Sequence, residues 1–232
     1  MLTAGIVMII VLANHDPVRI TATVEANQFP LSRQNSLNSQ ADAWYLILVN
    51  PDHPIPDDYQ VQLLTLSNGE QIDTRIYQEL QAMFDDARAE GLALFVRNGY
   101  RTFEEQQELY DEKVNAFIEE GCSPEEAIQQ AEGWVAIPGT SEHQLGLSVD
   151  INPDLDISSI DEVYSWLEDN SYKYGFVKRY PSEKADITGI NDEPWHFRYV
   201  GHEAAEEMFI RGLCLEEYLG NIEKTELTND VG

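Results

Sequence analysis

Two short stretches concentrate the residues that can do chemistry. In the first, Gly139-Thr140-Ser141-Glu142-His143-Gln144-Leu145-Gly146-Leu147-Ser148-Val149-Asp150-Ile151, an imidazole and a carboxylate stand seven residues apart, with Gly146 between them where the chain can turn. After that glycine, Leu147, Val149 and Ile151 alternate with Ser148 and Asp150, a strand pattern with its apolar side to a core and its polar side to a cleft. An acid between Val149 and Ile151 is costly in such a strand unless it is paired or liganded. The second stretch, Glu193-Pro194-Trp195-His196-Phe197-Arg198-Tyr199, adds another imidazole and another carboxylate.

A catalytic zinc ion takes three protein ligands and leaves a fourth position open. His143, Asp150 and His196 meet that count, and the metal would lower the pKa of water from ~15.7 toward ~7. Glu193, three residues before His196, is the candidate general base that takes the proton and passes it to a leaving amine. On a flat strand an odd offset points Glu193 away from His196; Pro194 removes the objection if it bends the backbone there. Trp195, Phe197 and Tyr199 are expected in the core. Of the other histidines, His15 and His53 are expected to be exposed, and His202 to cap the last helix or serve as a polar core residue. Arg101 follows a strand and a glycine turn and precedes a capped helix, a rigid support beside a cleft. Its guanidinium suits a carboxylate ligand, though a salt bridge to a surface glutamate accounts for it equally well. Gln106, one turn on, is a possible donor, and Glu104 and Glu105 read as solvated acids at a helix start.

Positioning those side chains requires a mixed scaffold. Trp44 to Val49 is a β-rich run that opens the folded domain, and Pro51, Pro54 and Pro56 then enforce an extended crossing. A short strand over Thr65 to Asn68 turns at Gly69. Asp73 caps a helix to about Glu90, with Ile76, Leu80, Met83, Phe84 and Ala87 on one face and Gly91 as its stop. A buried strand over Leu92 to Arg97 is broken by Asn98-Gly99. Capping boxes at Thr102/Glu105 and Ser123/Glu126 start two helices, the second with Pro124 at its first position. Ser158 or Ser159 starts another, and His202 to Arg211 forms the last, with Ala205, Met208 and Phe209 inward. With helices clustered early and strands alternating with loops late, the pattern is α+β in a single domain.

The formal net charge of -28 argues against nucleic acid and anionic membrane surfaces as partners. Cys122 and Cys214 form no metal-binding pair and read as separate buried thiols. Residues 1 to 13 are an uncharged run too short to span a bilayer, expected to be the remaining part of an export signal or membrane anchor. A polar linker follows, giving three segments: anchor remnant and linker over 1–40, catalytic domain over 41–221 and a polar tail over 222–232.

Taken together, residues 43 to 220 resemble the VanY and LdcB group of D-alanyl-D-alanine and L,D-carboxypeptidases, within the LAS metallopeptidases of peptidase family M15. The resemblance rests on Leu48-Val49-Asn50, Gly99-Tyr100-Arg101-Thr102 with Gln106, Ser141-Glu142-His143 through Asp150, Glu193-Pro194-Trp195-His196, and Gly212-Leu213-Cys214-Leu215-Glu216-Glu217-Tyr218. It implies a hedgehog-type zinc peptidase domain, a small antiparallel sheet with helices around it. The activity implied is removal of the C-terminal D-alanine from peptidoglycan stem peptides, outside the cytoplasm at the cell envelope, by a monomer. His143, Asp150 and His196 look like the Zn2+ ligands and Glu193 like the general base. Arg101 resembles the residue that steadies the substrate, and Gln106, Ser141 and Tyr180 resemble substrate-pocket residues. Thr102 and Ser148 depart from the commoner serine and alanine, and Ser148 is expected to hydrogen-bond Asp150. Two alternatives share the metal site: an endopeptidase cutting between L-alanine and D-glutamate, and a wall-binding module without turnover, which Glu193 argues against. The choice between tetrapeptide and pentapeptide substrates stays open at this point.

Overall fold

The computed structural model describes residues 44–220; the apolar run at 1–13, His15, the whole of the linker and the polar tail lie outside the described residues. Two sheets form. Strands β1 (Leu63–Thr65) and β2 (Gln71–Asp73) make a hairpin, and β3 (Leu94–Asn98), β4 (Ser148–Pro153), β5 (Phe176–Lys178) and β6 (His196–Tyr199) make an antiparallel sheet in the order β3-β4-β6-β5. Helices α1 (Tyr77–Ala89), α2 (Phe103–Glu119), α3 (Pro124–Glu132), α4 (Ile160–Asn170), the short α5 (Ala185–Thr188) and α6 (His202–Arg211) surround it.

Local chemistry explains the element starts. Asp73 accepts from Arg75 N and begins a 3₁₀ turn over Thr74–Ile76 that runs into α1. Thr102, Ser123 and Ser159 each close a reciprocal capping box, with Glu105, Glu126 and Glu162, satisfying backbone donors that the first turn would otherwise leave bare. Leu80, Met83, Phe84 and Ala87 of α1 pack with Leu147, just before β4, and with Val149 and Ile151 of β4 in the main core. Burying each such aliphatic side chain is worth about 1.5–3 kcal/mol, so the alternation of β4 fixes which way Ser148 and Asp150 face.

Several expectations need correction. Residues 44 to 49 form no strand, opening in a turn at Trp44 and Tyr45: the Arg198 guanidinium donates to the carbonyls of Tyr45 and Ile47, at 3.0 and 2.9 Å, where a neighbouring strand would have done so. The first strand sits at Leu63–Thr65, before the expected Thr65–Asn68, and β3 runs two residues later than the apolar run suggested. Phe209 is outward, stacked on Tyr172 with ring centroids 3.9 Å apart. Trp195 lines a cleft, whereas Phe197 and Tyr199 do enter the core. His202 is exposed and meets Glu79 on the surface. Cys214 is buried, Cys122 only partly so, and both thiols are free.

Candidate active site

The sheet register does most of the assembly. Strands β4 and β6 pair antiparallel with Asp150 directly opposite His196, so the two side chains share a face at close range. His143 comes from the 3₁₀ turn Glu142–Leu145, which ends at Gly146 with φ 70°. A residue with a Cβ is strained at that φ, and its Cβ would also lie 3.0 Å from Asp73 N. From His143 Nε2 to Asp150 Oδ1 is 3.3 Å, and from His196 Nδ1 to the same oxygen is also 3.3 Å. One ligand atom from each of the three residues lies within 4.8 Å of the others.

Each group is held with its lone pair inward. His143 Nδ1 lies 2.7 Å from Gly99 O; a carbonyl only accepts, so Nδ1 carries the proton and Nε2 is left unprotonated toward Asp150. Gly99 is required where it stands, because a Cβ there would fall 2.1 Å from Gln71 O. Asp150 uses its outer oxygen, Oδ2, to accept from Asn98 Nδ2 at 2.9 Å and to face Arg101 Nη2 at 3.5 Å. Its inner oxygen, Oδ1, and His143 Nε2 are buried without any hydrogen-bond partner. Asn98 is aimed at the aspartate by a bulge in β3 between Val96 and Asn98, a device common beside active sites.

Glu193 precedes β6 and lies outside the strand. Pro194 and Trp195 form a turn in which His196 N donates to Glu193 O at 3.2 Å, and the Glu193 carboxylate comes to 3.4 Å from His196 Nδ1. The face conflict expected of an odd offset therefore does not arise. Arg101 donates to Gln106 Oε1 at 2.7 Å, and Gln106 donates in turn to Ala136 O at 2.8 Å. Tyr180 packs on the His196 ring with centroids 4.9 Å apart. These residues and Ser141 line one cleft of about 400 Å³, whose outer part carries Trp134 and Lys113. Lys113 lies over the Trp134 ring at 5.6 Å.

The electrostatics fit a missing cation. Burial opposes the charged form of Asp150, but His143 and His196 hold its carboxyl well below the usual range. Burial, then Arg101, lowers the pKa of His143. His196 goes the other way: burial disfavours its charge, yet Asp150, Glu142 and Glu193 outweigh that and push it well above 6.5. Two buried donor atoms lacking partners, converging with a third on one point, suit a divalent ion with mixed nitrogen and oxygen ligands.

Reading the sequence missed three contributors. Asn98 was taken only as a strand breaker. Glu142 and Arg198 are fully buried charges against His196 and Glu142 respectively. For Arg198 a signal existed, since a charge between Phe197 and Tyr199 in a strand poses the same problem as Asp150. Ser148 hydrogen-bonds Glu142 at 3.1 Å, in place of the expected Asp150.

Comparison with known proteins agrees with this geometry. The family model described as VanY, D-alanyl-D-alanine carboxypeptidase, matches residues 69–202. A D-alanyl-D-alanine carboxypeptidase of Enterococcus faecalis is 58% identical over 181 residues, which are 78% of this chain and 67% of the relative. The solved structure of VanYB in complex with D-alanine-D-alanine is 57% identical with a TM-score of 0.76, covering 77% of this chain and 98% of that one. A mutant of the vancomycin-resistance D,D-pentapeptidase VanY in complex with Zn(II) is also 57% identical, with a TM-score of 0.75 and coverage of 76% and 99%.

Proposed function

The chain belongs to the VanY family of D-alanyl-D-alanine carboxypeptidases, and on that premise we propose that His143, Asp150 and His196 hold its zinc ion while Glu193 and Arg101 work on the substrate. It is a zinc-dependent D,D-carboxypeptidase acting on peptidoglycan precursors that end in D-alanyl-D-alanine. The relatives support D,D over L,D cleavage, the choice the sequence left open, and they favour neither the endopeptidase nor the wall-binding alternative.

The observation that carries the residue assignment is the shared approach of His143 Nε2 and His196 Nδ1 to Asp150 Oδ1, each at 3.3 Å. Bound there, zinc supplies Lewis acidity, polarising a carbonyl oxygen and lowering the pKa of water toward ~7. Glu193 stands 3.4 Å from His196 Nδ1, close enough to take a proton from the attacking water and deliver it to the amine of the departing D-alanine. Arg101 is aligned by Gln106 and Asp150, so its remaining N–H groups are presented to a substrate carboxylate or carbonyl with little ordering left to do. Tyr180, buried against His196, and Ser141 shape the pocket and keep water out.

A monomer is proposed as the working unit. The substrate class supports action at the cell envelope, outside the cytoplasm. Among the described residues no helix is long and apolar enough to cross a membrane.

Incubation with a stem pentapeptide ending in D-alanyl-D-alanine, and separately with the tetrapeptide, tests this. One D-alanine per pentapeptide is expected, lost with a chelator and restored by zinc. Absence of free D-alanine from both digests, or full activity in chelator, would contradict it.

A further inference from the structure

The segment after α6 carries a motif, Gly212-Leu213-Cys214-Leu215-Glu216-Glu217-Tyr218, to which the reaction assigns no task. Its place in the fold is set by Glu216, which accepts two hydrogen bonds from Arg179: Nη1 at 3.0 Å and Nη2 at 2.6 Å. The third donor of the same guanidinium, Nε, reaches Glu142 Oε1 at 2.8 Å. Arg198 Nη1 lies 2.8 Å from that oxygen on the other side, off the hydrogen-bonding direction. Glu142, Arg179 and Arg198 are each 1% exposed or less. Glu142 and the two guanidiniums are thus enclosed, with the half-buried Glu216 closing the cluster at its edge, and the charges cancel.

Enclosing ion pairs contributes little net stability, because desolvation offsets the attraction. What the cluster does achieve is to hold one oxygen still. Glu142 Oε2, steadied by Ser148 Oγ at 3.1 Å, lies 3.6 Å from His196 Nε2. That nitrogen is fully buried and has no hydrogen-bond partner. His196 turns its other nitrogen, Nδ1, toward Asp150 and Glu193. A neutral imidazole that offers Nδ1 to a metal must carry its proton on Nε2, and metal-binding histidines commonly direct that proton at a carboxylate.

We propose that Glu142 is the positioning residue of His196: its carboxylate receives the Nε2 proton and so fixes the tautomer and ring angle that present Nδ1. The C-terminal motif, acting through Glu216 and Arg179, sets the orientation of Glu142. The inference rests on the zinc assignment above and extends it to a carboxylate that is not one of the three proposed ligands.

Two measurements test it on the full chain. In the zinc-loaded wild type, ¹⁵N NMR of the histidine side chains is expected to show His196 protonated on Nε2, with that proton protected from exchange; a metal-bound Nε2 would overturn the proposal. In competition against a chromogenic chelator, with Zn2+ as the only added ligand, Glu142→Gln is expected to weaken zinc affinity about 10- to 100-fold. Glu216→Gln, which leaves Glu142 in place, should weaken it by less. The visible spectrum of the Co2+-substituted variants should shift in the same order, a change that a general loss of stability would not produce. If the wild type takes up zinc stoichiometrically and Glu216→Gln and Glu142→Gln match its affinity and spectrum, the positioning role falls and the metal site stands. If the wild type takes up no zinc, the metal assignment itself falls.

Discussion

His196 separates two clusters of buried charge that obey opposite rules. In front of it, Asp150 Oδ1 and His143 Nε2 are buried without hydrogen-bond partners, and Asp150 and Glu193 crowd a single imidazole edge. Behind it, Glu142, Arg179, Arg198 and Glu216 pair with one another in equal numbers. The front cluster is incomplete as protein alone, because buried polar atoms without partners are costly, and on the proposed assignment a cation completes it. The rear cluster balances its charges within the protein, so it needs no ligand and serves as a fixed support. Balance, more than burial, distinguishes the group that reacts from the group that holds.

The largest effect should come from unbalancing the front. Asp150→Asn removes the negative charge shared by both imidazoles and is expected to take zinc content, measured by mass spectrometry, and D-alanine release to background. Retained stoichiometric zinc would break the contrast. Glu193→Gln should act differently, lowering kcat by roughly 10²–10⁴-fold with zinc content unchanged, since Glu193 is assigned to proton transfer and does not hold the metal.

Damage to the rear cluster should show first in stability. Arg179→Met leaves the buried Glu142 with one partner fewer and is expected to lower unfolding stability by about 3–5 kcal/mol, read from urea denaturation of the metal-free protein. A loss below about 1 kcal/mol would mean that the cluster is not the rigid support described. A smaller, graded effect should follow pH. Burial alone would raise the carboxyl pKa of Glu142, but Arg179 and Arg198 hold it well below the ordinary 4.5. A depressed folded pKa means that the carboxylate's contribution is fully present above about pH 4.5 and is lost as pH falls through the folded value. The urea midpoint of the wild type should therefore drop on acidification below pH 4.5, and Glu142→Gln should flatten that acid limb.

The same contrast explains what the sequence could and could not reveal. The front residues were legible because each breaks a pattern: Asp150 interrupts an apolar alternation, and His143 stands one turn before a glycine. Gly99 and Arg101 punctuate a strand end. Glu142 breaks nothing visible, since an acid beside a turn is unremarkable in a chain with 42 of them. Its burial is created by Arg179 and Arg198, which lie 37 and 56 positions away, and only the fold brings them together. Trp44 to Val49 was misread as a strand for a related reason: its composition suits one, but its carbonyl partners turned out to be a side chain. Trp195 was misplaced because the alternation of β6 was extended one residue too far, across the turn at Pro194.

The central claim concerns where the metal sits and through which atoms. Anomalous diffraction from zinc-loaded crystals at the zinc absorption edge addresses it directly. The account predicts one dominant peak about 2.0–2.2 Å from His143 Nε2, an Asp150 oxygen and His196 Nδ1 together, with His196 Nε2 facing Glu142. A peak elsewhere, or one bonded through His196 Nε2, would contradict it.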